Sequence, residues 1–311
     1  MNKKKWIKRI GYVLTALAFV YIFYSLYHVR GDILRLDNIR QILLICGLFA
    51  LLYTTTVYVF GYLLKLNLEF VSKKRLSALE PIEVFTKSNL CKYLPGNVMQ
   101  FVARNLYAEK MGITQAQMTV SSLIEIFFNL SVSLVLCLLF ARELFFAMAN
   151  AYVPLAAYAL VGVGLVIAGV LALFLLRNTR LFKKLKETVI EQVRNIKKFA
   201  VLSLKMFLGI SCVHLLAGTL FFYLLRTVTG AQVNFFLVIP AYIITWLIGY
   251  IAPSAPGGIG VKEALLSLIL MDFYGREQVL IAALLFRITT ITSDVLAFCL
   301  TQIISKWRSV K

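Results

Sequence analysis

Residues 40–64 read RQILLICGLFALLYTTTVYVFGYLL, with Arg40 as the sole charge before Lys65. Wound as a helix at ~1.5 Å per residue, this stretch is long enough to cross the ~30 Å hydrocarbon layer of a bilayer. Comparable apolar runs lie at roughly 10–28, 118–140, 153–176, 202–225 and 279–304. The chain as a whole is 60% hydrophobic and 15% charged, with a mean hydropathy of +0.84. A soluble domain is closer to half apolar and a quarter charged. The sequence therefore predicts an all-α, polytopic transmembrane bundle occupying residues 1–311 as one domain.

The net charge of +19 raises nucleic acid as a partner. The basic residues, however, cluster at the ends of the apolar runs, where the positive-inside rule places them. With the N-terminus in the cytoplasm, segments 1–9, 65–117, 177–205 and 306–311 hold 25 of the 33 basic residues, and the outer loops hold six. This asymmetry predicts a multi-pass protein of the cell membrane with both termini cytoplasmic, drawn to anionic headgroups and not to nucleic acid. The Lys3–Arg9 basic cluster and the following run lack a small-residue cleavage site, so they read as an uncleaved first span. The five cysteines form no CxxC pair, which speaks against a disulfide framework or a zinc site.

Two apolar stretches are broken. Segment 81–112 is interrupted at Pro95-Gly96, and segment 235–273 at Pro253, Pro256, Gly257, Gly258 and Gly260. Cytoplasmic termini require an even number of crossings. The expected architecture is six full spans plus two re-entrant hairpins, or eight crossings if the second broken segment spans twice. The piece 259–272 is short for a span, which favours hairpins, the first entering from the cytoplasm and the second from outside. Segment 177–200 sets Phe182, Leu185, Val189, Val193, Ile196 and Ala200 at three- and four-residue steps among basic residues, the pattern of an amphipathic helix on the cytoplasmic surface.

Backbone that leaves the helix within hydrocarbon must be buried in protein or line a wet cavity, because lipid cannot satisfy its hydrogen bonds. Paired breaks in opposite halves are the sequence mark of a transporter's central site. Ionisable residues at membrane depth are costly and serve function or pair with one another. Those residues are Glu125, His214, Lys262, Glu263, Arg287 and Asp294, with Arg104 eight residues beyond the first break. Arginine can hold a phosphate bidentately, which makes Arg104 and Arg287 candidates for a lipid headgroup. The competing reading is a structural ion pair, such as Arg287 with Glu263 or Glu125. His214 reads as a packed polar residue. No catalytic triad, metal-spaced His/Cys set, nucleotide loop or dinucleotide fingerprint is present, so no enzymatic activity, cofactor or metal is expected.

At Lys92-Tyr93-Leu94-Pro95-Gly96-Asn97 followed by Arg104, and at Ala255-Pro256-Gly257-Gly258-Ile259-Gly260-Val261-Lys262-Glu263, the sequence resembles the lysylphosphatidylglycerol synthase transmembrane family. The resemblance implies a helical bundle with re-entrant elements that moves or handles anionic phospholipids or lipid-linked sugars. It matches Pro256, Gly257, Gly258, Gly260 and Glu263 to the C-terminal motif, and Pro95, Gly96 and Arg104 to the N-terminal one. The sequence stops at Lys311, so the aminoacyl-transferring domain of bifunctional relatives, and with it lysyl transfer, is not expected. The leading expectation is a flippase-like protein. In it, both breaks meet in a polar cavity, Arg104 and Arg287 hold the phosphate, and Glu263 and Asp294 position them. Glu125 belongs to the same site, and Asn97 lines the first break. The alternative is a non-transporting accessory subunit of a membrane glycosyltransferase, docking through 177–200. A homodimer is compatible with either.

Overall fold

The computed structural model describes residues 27, 39–94, 99–108, 111–149, 196–252 and 256–309. Among these the chain is all helical, in eight α-helices. They are α1 (Ile39–Ser72), α2 (Leu79–Leu90), α3 (Met99–Ala108), α4 (Gln115–Ala149), α5 (Ile196–Thr229), α6 (Phe235–Ile251), α7 (Val261–Tyr274) and α8 (Arg276–Ser309). Single 3-10 turns at Cys91–Tyr93 and Pro256–Gly258 mark the two interruptions.

Four helices, α1, α4, α5 and α8, are long and apolar enough to cross a membrane. They contain the runs expected at 40–64, 118–140, 202–225 and 279–304 and extend beyond them at both ends. The extensions are the charged turns that hydropathy does not register. On α1, for instance, Lys65 pairs with Glu69 one turn later at 3.4 Å, so the helix continues to Ser72. The spans expected at 10–28 and 153–176 lie outside the described residues. So does the surface helix expected over 177–200, apart from its last five residues, which open α5.

α1 is apolar on every face. Phe49, Ala50, Val57, Leu64 and Leu68 point inward, while Leu43, Leu44, Leu48 and Leu51 point outward, with Leu44 70% exposed. α4 repeats this with Leu138 and Leu139, exposed by 70% and 68%. A helix hydrophobic all round belongs in a large core or a membrane, and among the described residues nothing covers the outward face. The inward faces form one core in which Tyr53, Phe221, Tyr242 and Phe286 meet mainly edge to face, with centroids 5.6–6.0 Å apart.

The contacts at the helix ends show how the broken segments run. Just after α1, Lys74 Nζ donates to Gly112 O at 2.7 Å, just before α4. At the same end, Arg308 donates to Ser77 Oγ and Ser305 Oγ to Glu83. The α2–α3 segment thus leaves and returns at one end of the bundle. At the opposite end, the Asn234 N–H before α6 donates to the Tyr274 hydroxyl at the end of α7, at 2.9 Å. The α6–α7 segment therefore also begins and ends at one place.

Local chemistry sets the turns. The Asn234 side chain accepts the Phe236 N–H and starts α6. Gly257, Gly258 and Gly260 have φ of 57, 74 and 81°, conformations that only glycine adopts without cost. The Gly260 N–H then donates to Glu263 Oε2 at 2.7 Å, starting α7 with a carboxylate in its first turn.

Candidate functional site

A cavity of about 130 Å³ opens where the two 3-10 turns meet. A single water needs roughly 10–15 Å³ on this measure, so the space suits a small polar headgroup. Seven of the eight helices and both 3-10 turns reach it, α1 through Tyr53, Thr56, Val57 and Phe60. α8 supplies Arg287 and Asp294, seven residues apart and so two turns along one face. α3 supplies Arg104, α4 supplies Glu125, α6 supplies Trp246, and α7 supplies Lys262 and Glu263. The end of α2 and the turn after it supply Asn89, Lys92 and Tyr93.

The charges form three opposite-sign pairs. Arg104 Nη1 donates to Glu125 Oε2 at 2.7 Å, with the two side chains 1% and 6% exposed. Arg104 Nε also reaches Ser88 Oγ at 3.3 Å, and its guanidinium lies 4.6 Å from the Phe85 ring centre. Lys92 Nζ sits 2.7 Å from Asp294 Oδ2, while Asp294 Oδ1 accepts from Asn89 Nδ2 at 2.7 Å. Arg287 Nη2 donates to the Gly257 carbonyl at 3.0 Å, and its Nε stands 3.8 Å from Glu263 Oε1. At this depth such pairing offsets a desolvation cost that either charge alone could not bear.

Tyr93 joins the two halves. Its hydroxyl donates to Asp294 Oδ2, and the Arg287 guanidinium lies 5.6 Å from its ring centre. A Cβ on Gly257 would come within 3.3 Å of the Tyr93 ring and 3.0 Å of Arg287 Nη2. Gly257 is thus required by its backbone conformation and also by the close approach of the first break to the second.

The residues singled out from sequence fall as follows. Arg104, Arg287, Glu263, Asp294 and Glu125 all line the one cavity. Arg104 and Arg287 each lie against a carboxylate, Glu125 and Glu263 respectively. Asp294 faces Lys92, Asn89 and Tyr93. Pro256, Gly257 and Gly258 form the second 3-10 turn, with Gly260 at the start of α7. Pro95, Gly96, Asn97 and Pro253 lie outside the described residues. His214 is packed away from the cavity wall, its Nε2 2.9 Å from Ser133 Oγ and its ring edge-on to Trp246.

Sequence reasoning missed Asn89 and Trp246, and it quoted Lys92 and Tyr93 in the first motif without placing them in the site. A signal existed for Lys92 and Tyr93, which directly precede the Pro95-Gly96 break. Lys92 was counted only as one of the cytoplasmic basic residues, and Tyr93 entered only as part of the motif. Trp246 sits in an uninterrupted apolar run, with nothing local to distinguish it.

No curated protein matches the chain. A family model described as the lysylphosphatidylglycerol synthase TM region matches residues 85–297, about two thirds of the sequence. The matched region begins on α2 and ends on α8, so it takes in both breaks and every charged residue of the cavity. The chain therefore belongs to the lysylphosphatidylglycerol synthase transmembrane family and is a multi-pass membrane protein related to lipid handling.

Proposed function

We propose that this protein translocates or handles an anionic phospholipid or lipid-linked saccharide, with the headgroup held in the cavity between the two breaks. One observation carries the reading. A cavity lined by Lys92, Arg104, Lys262 and Arg287 lies inside a bundle whose outer face is apolar. Four basic side chains against three carboxylates, with Arg104 and Arg287 buried, are costly to assemble in a membrane, and an anionic ligand is their natural partner. The helix breaks bring the Gly257 carbonyl to the cavity beside them, while the outward leucines of α1 and α4 remain in acyl chains.

In this reading α2–α3 and α6–α7 are re-entrant hairpins, the first entered from the cytoplasm and the second from outside. Both leave and return at one end of the bundle, and α2, α3 and α7 are too short to cross ~30 Å. The protein lies in the cell membrane with its basic ends inside. A headgroup could then be passed from one leaflet to the other while its acyl chains stay in lipid.

The test is headgroup movement in reconstituted vesicles. Arg104→Ala and Arg287→Ala leave Glu125 and Glu263 buried without their partners, so movement is read on the fraction of the double variant that elutes as a folded species, and there it should be lost. Normal movement in that variant would remove the proposed mechanism. An accessory role beside a membrane glycosyltransferase is the alternative, and it predicts purified protein that moves no lipid and a partner that co-purifies.

A further inference from the structure

We propose that the end of α2 and the Cys91–Tyr93 turn form a gate to the cavity, and that Asp294 is the latch that holds it shut. The proposal concerns access and does not depend on what the cavity binds.

The argument starts from where the two breaks meet. The α2–α3 segment comes in from one end of the bundle and α6–α7 from the other, so their turns meet partway along it. α8 holds both turns, through Arg287 and Asp294. Arg287 Nη2 donates to the Gly257 carbonyl of the second turn at 3.0 Å. Asp294 holds the first, accepting from Asn89 Nδ2 at 2.7 Å and from the Tyr93 hydroxyl, with Lys92 Nζ 2.7 Å away. Between these two holds the turns touch. The Arg287 guanidinium lies 5.6 Å from the Tyr93 ring centre, and a Cβ on Gly257 would come within 3.3 Å of that ring. Parting the turns at Tyr93 would widen the cavity where the two broken segments meet.

The two holds differ in what releases them. The second turn is fixed by its backbone. Gly257, Gly258 and Gly260 have φ of 57, 74 and 81°, and the Gly260 N–H is tied to Glu263 Oε2. The first is a single 3-10 turn after a helix end, a weaker hydrogen-bond geometry that is common at hinges. Its three donors to Asp294 all come from one short stretch, 89–93, so they let go together.

Exposure points the same way. Lys92 is 24% exposed, whereas no side chain in the Arg104–Glu125 and Arg287–Glu263 pairs exceeds 8%. A cation that already reaches water can lose its partner at little cost, and an enclosed one cannot. Of the charged holds around the cavity, the one on the first turn is therefore the one that can be broken and remade.

Access can be read at a buried position of the cavity wall. Thr245 is 1% exposed and lines the cavity, while Cys137 is 6% exposed and belongs to the apolar core. Thr245→Cys in a chain without the native cysteines reports the gate, and a chain keeping only Cys137 reports general loosening. The probe is methyl methanethiosulfonate, a small neutral thiol reagent. Asp294→Asn keeps the shape of the latch and weakens its hold, because the amide has one acceptor oxygen and no charge for Lys92. It should speed reaction at Thr245→Cys by about tenfold or more as the open state gains population, and leave Cys137 unchanged. Tyr93→Phe, which loses one donor and keeps the ring, should give a smaller rise of about threefold. An unchanged rate at Thr245→Cys in Asp294→Asn overturns the inference. So does a matching rise at Cys137, which would make Asp294 a structural tie. If Asp294→Asn yields no folded protein, Tyr93→Phe decides: a rise confined to Thr245→Cys supports the gate, and an unchanged or shared rate overturns it. None of these outcomes uses headgroup movement, so failure of the gate and failure of the proposed function are told apart.

Discussion

At the scale of single residues, the strongest commitments are the buried charges. Arg104 and Glu125 are 1% and 6% exposed, so losing either leaves the other buried without its charge partner. Glu125→Ala should therefore destabilise the protein by about 3–5 kcal/mol, whereas replacing both by Leu and Met should recover most of it. Thermal unfolding of the two variants in detergent distinguishes the cases, and equal losses would mean that the pair itself contributes stability. A glycine poses a different question. Gly257 has φ 57°, and a Cβ there would press on Arg287 and Tyr93. Gly257→Ala should cost about 1–2 kcal/mol from backbone conformation alone and should displace Arg287 from the Gly257 carbonyl. Headgroup movement should fall further than stability does. A variant with wild-type movement would show that the turn can rearrange without consequence.

At the scale of elements, the helices follow from sequence more directly than the way they meet. Apolar run length located α1, α4, α5 and α8, because the bilayer requirement is a local property of composition. The breaks were legible for the same reason, since the Pro-Gly clusters interrupt helix wherever they occur. Pairing was not legible. That Asp294 faces Lys92 and Asn89 depends on where the end of α2 packs against α8, and no local spacing encodes that. Small residues at helix contacts were likewise beyond reach in the described part of the chain. A Cβ on Gly218 of α5 would meet Ile239 of α6 at 2.9 Å, the mark of a close crossing. Gly218→Leu should force α5 from α6 and cost about 1–3 kcal/mol by overpacking, read as a lower unfolding temperature and reduced yield. Full stability in that variant would mean that the crossing is looser than the contact implies.

At the scale of the whole molecule, the positive-inside count predicts an orientation, while the helix-end contacts show only which helix ends lie together. The count treated every basic residue of 65–117 as cytoplasmic, yet Lys92 and Arg104 line the internal cavity. Removing both leaves a clear excess on that side, because 65–117 retains Lys65, Lys73, Lys74, Arg75, Lys87 and Lys110. The contacts need no charge argument. Lys74 reaches Gly112, and Arg308 reaches Ser77, so the end of α1, the start of α4 and the end of α8 share one end of the bundle. Gln41, Arg226 and Gly230 line a common hollow at the other end, where Asn234 also meets Tyr274. Cysteine labelling joins the two lines of argument. In a variant with the native cysteines removed, Ala231→Cys should react with a membrane-impermeant thiol reagent in intact cells. Lys74→Cys and Arg308→Cys should react only after the membrane is opened. Labelling of Lys74→Cys and Arg308→Cys from opposite sides would contradict the helix-end contacts and make one broken segment a true crossing. Labelling all three in the reverse sense would keep the fold and invert its orientation, so the charge bias alone would have failed.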